Sequence, residues 1–372
     1  MEVIFSRQEL LSELQLVARA TAVRSAIQSL SGILLSVEND RVELVATDTE
    51  IGLRSQVGAK VVAPGAALIP GRLFVDILRV LEGVEVTLKS DQGQAQIEVT
   101  SGQSRFVVRG LSIEDFPRLP ASRSEQMSVA AGPFASTIER VARAASRDET
   151  RPVLTGILVS VEGKRLRMVA TDSYRLSVKE TPLEGEVGDP FEVNVPARAL
   201  QELTRVIADK QPEQISAGSE DNQIVFGAGD VVLSSRMIDG QFPNYRQLLP
   251  ESYEHEIELN RAEFGAVVRR ISLMAQRNAP LRLAFEDGAV KISAQTPDVG
   301  EAVETLPVNY KGEPLEIGFN PQFLQDGLDG VQGEQLKLKL ISALRPGLIE
   351  AADEGEEEGK FLYLIMPVRL NV

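Results

Sequence analysis

Apolar residues recur at helical spacing near the start of the chain. Leu10, Leu14 and Val17 form one apolar stripe, and the segment that holds them opens on Ser6, with Glu9 three positions later. A serine followed by a glutamate at this spacing is typical of a capping box, in which both side chains close the first turn of a helix. The pattern therefore predicts a helix that begins after Ser6.

Runs of alternating apolar and polar residues follow this helix. Residues 32–37 and 41–46 have the period of strands, and residues 38–40 between them indicate a hairpin turn. A second helix is predicted from Pro70, because proline is well placed at a helix start. Further strands are predicted at residues 84–90, 95–100 and 105–109. Two helices with a larger set of antiparallel strands predict an α+β fold with the helices on one side of the sheet.

The same design recurs along the chain at a constant offset. Residues 30–38 return as 154–162, and residues 45–48 return as 169–172, each 124 positions later in a chain of three times 124 residues. A period this long indicates a whole domain copied in tandem. In the weaker third copy, residues 281–286 open the same run of strands. There Thr296-Pro297-Asp298 replaces Thr-Asp, which indicates a different local role.

The repeat predicts domains at residues 1–121, 122–249 and 250–372. The second copy is expected to turn at residues 162–164. The counterparts of the Pro70 helix start are Pro196 and Asn320-Pro321.

Composition excludes several kinds of protein. No run approaches the roughly 18 to 20 apolar residues that a membrane span needs, and residues 1–5 lack the pattern of a signal peptide. We therefore expect a soluble, cytoplasmic protein. Cysteine is absent, which excludes disulfides and thiolate chemistry. The single histidine, His255, lies in the polar stretch 251–256 and is expected to be a solvated linker residue.

The same scarcity argues against an enzyme, because histidine and cysteine are the commonest bases and nucleophiles. Residues 355–360 come nearest to a phosphate-binding loop, but their glutamates would repel phosphate. We expect no catalytic residue, metal or cofactor. The alternative is a metal-dependent hydrolase that uses Asp48 and Asp172. Since this Thr-Asp pair recurs in two domains, a strand-end turn explains it better.

Charge is distributed unevenly. The formal net charge is −15, which on its face argues against a nucleic-acid partner. The first helix of each repeat and the residues after it nevertheless hold eleven arginines and six carboxylates, a net charge of +5. These arginines are Arg7, Arg19, Arg24, Arg140, Arg143, Arg147, Arg151, Arg261, Arg269, Arg270 and Arg277. They can be solvated helix residues, but their repetition in three domains favours a track for a polyanion.

Three motifs point to a known family. Residues 169–176 read Val-Ala-Thr-Asp-Ser-Tyr-Arg-Leu, residues 239–245 read Asp-Gly-Gln-Phe-Pro-Asn-Tyr, and residues 363–370 read Tyr-Leu-Ile-Met-Pro-Val-Arg-Leu. Together they closely resemble the bacterial DNA polymerase III β-subunit family, the sliding clamps, over the whole chain. The resemblance implies three tandem clamp domains that form half of a six-domain ring. Helices would line its hole, through which double-stranded DNA passes.

The resemblance also implies which arginines face DNA. They are Arg24, Arg72, Arg151 and Arg198, with Arg147 and Arg79 as weaker candidates. For each one the alternative is a solvated helix arginine. A topological clamp needs no base readout, so loose contact with phosphates would permit sliding.

A partner-binding cleft is implied between the second and third domains. It would hold short motifs of the DNA polymerase III α subunit, the clamp loader δ subunit, and other polymerases and repair proteins. The matching residues are Thr171, Tyr174, Arg175, Leu176, Pro243, Leu248, Asn320, Phe323, Leu344, Pro346, Ile365, Met366, Pro367, Val368, Arg369 and Leu370. Without the resemblance, residues 364–368 read as a buried last strand. Gln247 departs from the family pattern, since some members carry a basic residue there.

Ring closure in this family is a head-to-tail homodimer contact between first and third domains. The matching residues here are Arg105, Phe106, Leu273, Met274, Glu301 and Glu304. They pair apolar with apolar and positive with negative groups. The acidic segment 351–359 has no clear family counterpart, and we expect a mobile loop close to the cleft.

Overall fold

The computed structural model describes residues 1–38, 41–90, 96–120, 127–220, 222–276, 279–353 and 359–370, leaving out the side chains of residues 184, 188, 189 and 220. The chain forms two compact units. The first comprises Met1–Gly132 and Glu202–Met237, and the second comprises Pro133–Gln201 and Ile238–Val372. The domain boundaries predicted from the repeat stay predictions.

The helices of the described chain are α1 Arg7–Val17, α2 Gly71–Val80, α3 Ala131–Ala142, α4 Ala197–Lys210, α5 Arg261–Ser272 and α6 Pro321–Gly330. The strands are β1 Glu2–Ser6, β2 Gly32–Glu38, β3 Arg41–Thr47, β4 Ile51–Val57, β5 Ala59–Ala63, β6 Gly65–Pro70, β7 Glu85–Ser90, β8 Gln96–Ser101, β9 Ser104–Arg109, β10 Met127–Ala130, β11 Gly156–Thr171, β12 Arg175–Pro196, β13 Gln214–Glu220, β14 Gln223–Ala228, β15 Val231–Arg236, β16 His255–Asn260, β17 Leu281–Glu286, β18 Ala289–Thr296, β19 Gly300–Pro307, β20 Leu315–Phe319, β21 Gln335–Leu340, β22 Gly347–Ala351 and β23 Phe361–Ile365. The α+β class expected from the pattern is confirmed.

Four antiparallel sheets organise these strands. The first unit holds a five-stranded sheet in the order β5-β1-β7-β8-β9 and an eight-stranded sheet in the order β10-β13-β14-β15-β4-β3-β2-β6. The second unit holds a six-stranded sheet in the order β11-β12-β23-β22-β21-β16 and a four-stranded sheet in the order β19-β18-β17-β20. In both units one sheet joins strands of successive repeats.

The predicted first helix is present, and Leu10, Leu14 and Val17 are buried on it. Ser6 is its N-cap residue, but the Ser6 side chain makes no capping hydrogen bond, so the expected capping box is wrong. Ser6 also ends β1 and pairs with Glu85, because the strand runs directly into the helix. At the equivalent position of the third repeat, Asn260 does cap its helix.

The second helices start where proline predicted them. Pro70 is the N-cap of α2, Pro196 directly precedes α4, and Pro321 opens α6 behind the capping residue Asn320. α6 packs closely on β23, because a Cβ at Gly327 would lie 2.6 Å from the ring of Tyr363. Pro321 presets the backbone of the first turn, whereas Pro70 and Pro196 restrict the residue that directly precedes the helix.

The sequence also predicts turns at residues 38–40 and 162–164 and a solvated linker position for His255. The hairpin turn at residues 38–40 falls partly outside the described residues. In the second copy, Gly163 adopts the left-handed conformation with φ +57° at the expected turn. The prediction that His255 is a linker residue is wrong. It begins β16, is half-buried, and its Nδ1 lies 3.3 Å from the Tyr310 hydroxyl oxygen.

None of the helices within the described ranges is long and apolar enough to cross a membrane.

Candidate functional sites

A tight turn between β11 and β12 forms the first part of the predicted cleft, which we call the groove. The Thr171 hydroxyl donates to the Arg175 carbonyl at 2.7 Å. Asp172 Oδ1 accepts from the backbone N–H groups of Tyr174 and Arg175 at 2.9 and 3.0 Å. Between them Ser173 has φ +78°, a conformation that such side-chain hydrogen bonds stabilise.

The first repeat contains the same turn. Thr47 donates to the Ile51 carbonyl at 2.8 Å, and Asp48 Oδ1 accepts from the N–H groups of Glu50 and Ile51 at 3.0 and 2.9 Å. Thr49 has φ +79°. Both aspartates therefore close strand-end turns. Within the described ranges, no group of three or more His, Asp or Glu side chains is placed to hold a metal ion.

The third copy uses its threonine differently. The Thr296 hydroxyl donates to the Met274 carbonyl at 2.6 Å and accepts from the Gln276 N–H at 3.1 Å. These groups follow the end of α5, so Thr296 ties a strand end to a helix end. The divergence seen in the sequence corresponds to this change of role.

Arg175 is the most constrained charged residue of the groove. Its Nε donates to Asp172 at 3.0 Å, and its Nη1 donates to Asp326 on α6. Its guanidinium carbon lies 4.2 Å from the centre of the Phe323 ring. Burial lowers the pKa of Arg175, but its hydrogen bonds with Tyr363 and Asp326 and the negative charge of Asp172 outweigh burial, and the net pKa is raised. Arg175 is therefore held in its charged form.

The end of the chain runs along this turn. Ile365 pairs with Arg175 on one side and with Gly347 on the other. Beyond the strand, the Met366 N–H donates to the Tyr174 carbonyl at 2.8 Å, and the Val368 N–H donates to the Gly318 carbonyl at 2.8 Å. The residues after β23 are thus fixed against the turn before β12 and against β20.

Large apolar side chains stay exposed around these contacts. The exposed fractions are 61% for Tyr174, 49% for Leu248, 66% for Leu344 and 40% for Met366. Leu248 belongs to a segment whose Phe242 packs with Leu176 on one face of the six-stranded sheet. Exposed apolar residues gathered in one region are typical of a binding surface.

The sixteen groove residues differ in burial. Thr171, Leu176 and Ile365 are buried, whereas Arg175, Asn320, Phe323, Pro346, Pro367, Val368 and Leu370 are half-buried. Tyr174, Pro243, Leu248, Leu344, Met366 and Arg369 are exposed. Asn320 acts locally as a helix cap, since its Oδ1 accepts from the Phe323 N–H at 3.1 Å.

The acidic segment 351–359, expected to form a mobile loop close to the cleft, falls largely on residues 354–358, which lie outside the described residues. On either side of it, Ala351 ends β22 and Phe361 begins β23. The expectation about this segment stays a prediction.

The arginines predicted to face DNA have different surroundings. Arg24, Arg72 and Arg198 are exposed. Arg151 donates to Asp148 at 3.2 Å and to the Ser173 hydroxyl at 3.0 Å. Of the weaker candidates, Arg147 is exposed and Arg79 pairs with Asp76 at 3.3 Å.

Several of the other arginines in the predicted track serve the fold. Arg7 donates to the Gly83 and Leu78 carbonyls, and Arg261 donates to the Gly333 carbonyl. Arg140 is buried. Arg277 lies outside the described residues. The charge of +5 counted from the sequence therefore overstates what is available to a polyanion.

The predicted interface residues lie on two outer strands and one helix end. Arg105 and Phe106 are on β9, and Glu301 and Glu304 are on β19. Leu273 follows α5 and is 73% exposed, and Met274 next to it is half-buried. Two of the charged residues, Arg105 and Glu304, already have partners in the chain. Arg105 binds Glu98 through two hydrogen bonds of 2.8 and 2.7 Å, and Arg270 binds Glu304 at 3.1 and 2.5 Å. These hydrogen bonds lower the pKa of both carboxylates.

Sequence reasoning missed Asp326 and Tyr363 as members of the groove. Asp326 is buried on α6, and the Tyr363 hydroxyl donates to the Phe323 carbonyl at 2.9 Å. Burial raises the pKa of Tyr363. A lone Asp in the middle of a helix carries no motif, so the contact with Arg175, 151 positions away, becomes visible only in the fold.

Comparison with known proteins agrees with the fold. Residues 1–120, 128–244 and 246–369 match the N-terminal, central and C-terminal domains of the DNA polymerase III beta subunit. The chain is 32% identical over 377 residues to the beta sliding clamp of Streptomyces coelicolor, with 100% of both chains covered. It matches the DNA polymerase sliding clamp of Bacillus subtilis with a TM-score of 0.94 at 28% identity, and a sliding clamp from Pseudomonas aeruginosa bound to griselimycin with a TM-score of 0.91 at 30% identity. Both structural matches cover 100% of each chain.

Three tandem clamp domains define a replication clamp. The chain belongs to the DNA polymerase III β-subunit family, the sliding clamps.

Proposed function

We propose that two copies of this chain join head to tail into a closed ring, that duplex DNA passes through the ring, and that the groove tethers a DNA polymerase to it. The observation that carries the proposal is an edge-to-edge pairing between strands of successive repeats, which occurs twice. The two strands that would form the third equivalent pairing, β9 and β19, are not paired with each other in the described part of the chain. The ring would act as a processivity factor without catalysis, in the cytoplasm.

Strands of successive repeats pair edge to edge at two places. In the first unit, β15 pairs with β4 and Ser234 lies opposite Gly52. In the second unit, β23 pairs with β12 and Leu364 lies opposite Leu176. Since Gly52 and Leu176 are 124 positions apart, these are the same joint in successive repeats.

The third copy supplies one side of a further joint. Gly52 and Leu176 lie opposite Thr47 and Thr171, and Gly300 at the start of β19 lies opposite Thr296 in the same way. β19 is the outer strand of its sheet in the described chain, with β18 as its neighbour. Gly300 is therefore the third-repeat equivalent of Gly52 and Leu176, which pair with Ser234 and Leu364 at the two internal joints.

The first copy supplies the other side. In each repeat, the strand before the first helix is the starting point, and the residue pairs can be followed across the next three strands of the sheet. Positions followed in this way show that Val107 of β9 is the equivalent of Ser234 in the second repeat and of Leu364 in the third. β9 is also an outer strand. We therefore propose that β9 of one subunit pairs antiparallel with β19 of the next, with Val107 opposite Gly300.

This register accounts for the predicted interface residues. It places Phe106 opposite Glu301 and diagonal to Val303, which is 51% exposed in the single chain. Leu233 and Tyr363, the equivalents of Phe106 at the internal joints, are each 1% exposed, whereas Phe106 is half-buried. Pairing with a second subunit would bury it as fully.

The charged partners fit the same register. Arg105 lies diagonal to Glu304 across the proposed pair, and cross-strand neighbours at this spacing are within reach of long side chains. At the internal joints, Arg19 binds Asp209 and Arg143 binds Asp329, both at 2.8 Å. Thirteen residues after the N-cap, where Arg19 and Arg143 stand, the third repeat has Leu273. At the joint between subunits, Leu273 would thus make an apolar contact at the position where the internal joints have an arginine–aspartate ion pair.

For DNA, we propose loose phosphate contacts from Arg24, Arg72, Arg151 and Arg198. Neutralising each phosphate contributes a salt-dependent share of affinity, so single glutamine variants should weaken association modestly, and the fourfold variant should lower the salt dependence clearly. Filter binding at several salt concentrations measures this. Arg282→Gln, which removes an arginine from β17, serves as the control and should leave the slope unchanged.

For partners, we propose that the groove binds short motifs of the polymerase III α subunit, the clamp loader δ subunit, and other polymerases and repair proteins. The exposed apolar rim supports this role, because such surfaces can accept different peptides. The fixed Arg175 would orient the peptide.

The deciding experiment is a topological one. The purified protein is incubated with nicked circular DNA, a cognate clamp loader and ATP, half of the sample is linearised, and retention is measured by gel filtration. Retention on circles with loss from linear DNA is the expected result. Equal retention on both forms would indicate ordinary electrostatic binding, and no retention with an active loader would refute the ring.

A further inference from the structure

Asp326 on α6 is the centre of a buried charged cluster beside the groove. Its Oδ2 accepts from Arg175 Nη1, and its Oδ1 accepts from Gln322 Nε2 at 2.9 Å. Arg143 Nη1 lies 3.6 Å from Oδ1. The side chains of Asp326 and Arg175 are each only 10% exposed. Such a carboxylate holds its donors strongly, because hydrogen bonds between charged groups gain strength when water is excluded.

The contacts of Arg175 leave one of its nitrogens available. Nε is bound to Asp172 at 3.0 Å, and Nη1 is bound to Asp326 with the Tyr363 hydroxyl at 3.5 Å. The Phe323 ring lies 4.2 Å from the guanidinium carbon. Among the described residues, Nη2 has no hydrogen-bond partner. A bound peptide offers carbonyl and carboxylate oxygens, which are the acceptors that Nη2 requires.

We propose that Asp326 is a positioning residue for peptide binding: it fixes the plane of the Arg175 guanidinium so that Nη2 can donate to a bound peptide. This inference rests on the proposed function of the groove. Without Asp326, the remaining contacts are the hydrogen bond from Nε to Asp172, the Phe323 ring and the long contact of Nη1 with the Tyr363 hydroxyl, and these still leave the guanidinium able to turn about Nε. Two carboxylates on Nε and Nη1, from different elements, remove that freedom before the peptide arrives.

The cluster offers a matched control one helical turn away. Asp329 is also an aspartate of α6, and it binds Arg143 at 2.8 Å, but it makes no contact with Arg175. Asp329→Asn therefore makes the same change of charge on the same helix and leaves Arg175 with both its carboxylates. A nonspecific effect of charge or helix stability would appear in both variants.

The test uses the full-length protein and griselimycin, which the related Pseudomonas aeruginosa clamp binds. Affinity is measured by isothermal titration calorimetry for the unmodified protein, Asp326→Asn, Asp329→Asn, Arg175→Ala and the double variant Arg175→Ala/Asp326→Asn. We expect Asp326→Asn to weaken binding about tenfold, which corresponds to about 1.4 kcal/mol. Asp329→Asn should change affinity less than twofold. In the Arg175→Ala background, Asp326→Asn should have no further effect, because Asp326 acts through Arg175.

The outcomes separate this inference from the groove itself. If the unmodified protein does not bind griselimycin, the proposed groove fails and the role of Asp326 fails with it. If it binds but Asp326→Asn matches it, or if both aspartate variants lose affinity equally, only the role of Asp326 is overturned. An equal loss on the Arg175→Ala background would also overturn it. If Asp326→Asn does not fold, Asp326→Ser is measured instead, with the same expected loss and the same contradicting result.

Discussion

Leu273 should contribute strongly to ring closure although it lies outside every paired strand. It is 73% exposed in the single chain, and full burial of a leucine side chain contributes about 1.5–3 kcal/mol. At the middle of that range, burying the exposed 73% of the side chain contributes about 1.6 kcal/mol for each joint. The proposed ring has two joints, so Leu273→Ala should lose about 3 kcal/mol per dimer and raise the dimer Kd roughly hundredfold.

Sedimentation over a concentration series measures that Kd. Leu344→Ala is the matched control, because Leu344 is 66% exposed but belongs to the groove. It should leave the dimer Kd unchanged and weaken griselimycin binding, while Leu273→Ala should do the reverse. An unchanged dimer Kd for Leu273→Ala, or an equal rise for Leu344→Ala, would refute the assignment of Leu273 to the joint.

Two further predictions concern stability and pH. Gly330→Ala should lower the free energy of unfolding by about 1–3 kcal/mol in chemical denaturation, because the new Cβ would lie 2.4 Å from the Phe361 ring. The control is Gly265→Ala inside α5, where the new Cβ meets only ordinary contacts and should raise the free energy of unfolding by about 0.5–1 kcal/mol. Similar effects of the two substitutions would contradict the packing argument. Burial and nearby Glu350 raise the pKa of Tyr253 to about 12. The folded state then keeps this proton above pH 10 where the unfolded state loses it, so stability should fall between about pH 10 and 12. Tyr253→Phe should flatten that fall and remove one step from the ultraviolet titration.

Much of the fold could be predicted from short sequence patterns with a local structural effect. Pro70, Pro196 and Pro321 mark helix starts because proline restricts the backbone in the same way wherever it stands. The Thr-Asp turns at Thr47 and Thr171 recur because a threonine hydroxyl and an aspartate carboxylate within two residues can satisfy the same backbone groups. Such signals act within a few residues and can be read without the fold.

Other features depend on contacts between residues that are far apart in the chain, and these could not be predicted from the sequence. His255 lies in a polar stretch, yet the Tyr310 hydroxyl 55 positions away and a place in β16 make it half-buried. Asp326 resembles any helix aspartate until Arg175 reaches it. Counting arginines likewise missed that Arg7 caps backbone carbonyls. Each error arose where a distant partner decides what a residue does.

The repeat also shows why a groove is expected at only one of the two internal joints. The backbone is shared, since the Arg236 N–H donates to the Glu50 carbonyl at 2.9 Å as the Met366 N–H donates to the Tyr174 carbonyl at 2.8 Å.

The side chains at these positions differ in kind. The first joint presents the charged pair Glu50 and Arg236 and buries Ile51 at 2% exposure, whereas the second presents Tyr174 and Met366 and places Arg175 beside them. Charged residues on that turn favour water, and apolar residues favour a partner. On the proposed function, the duplicated joint would serve only the fold in the first unit and recognition in the second. The difference lies in three side chains, two on the turn and one at the end of the paired strand.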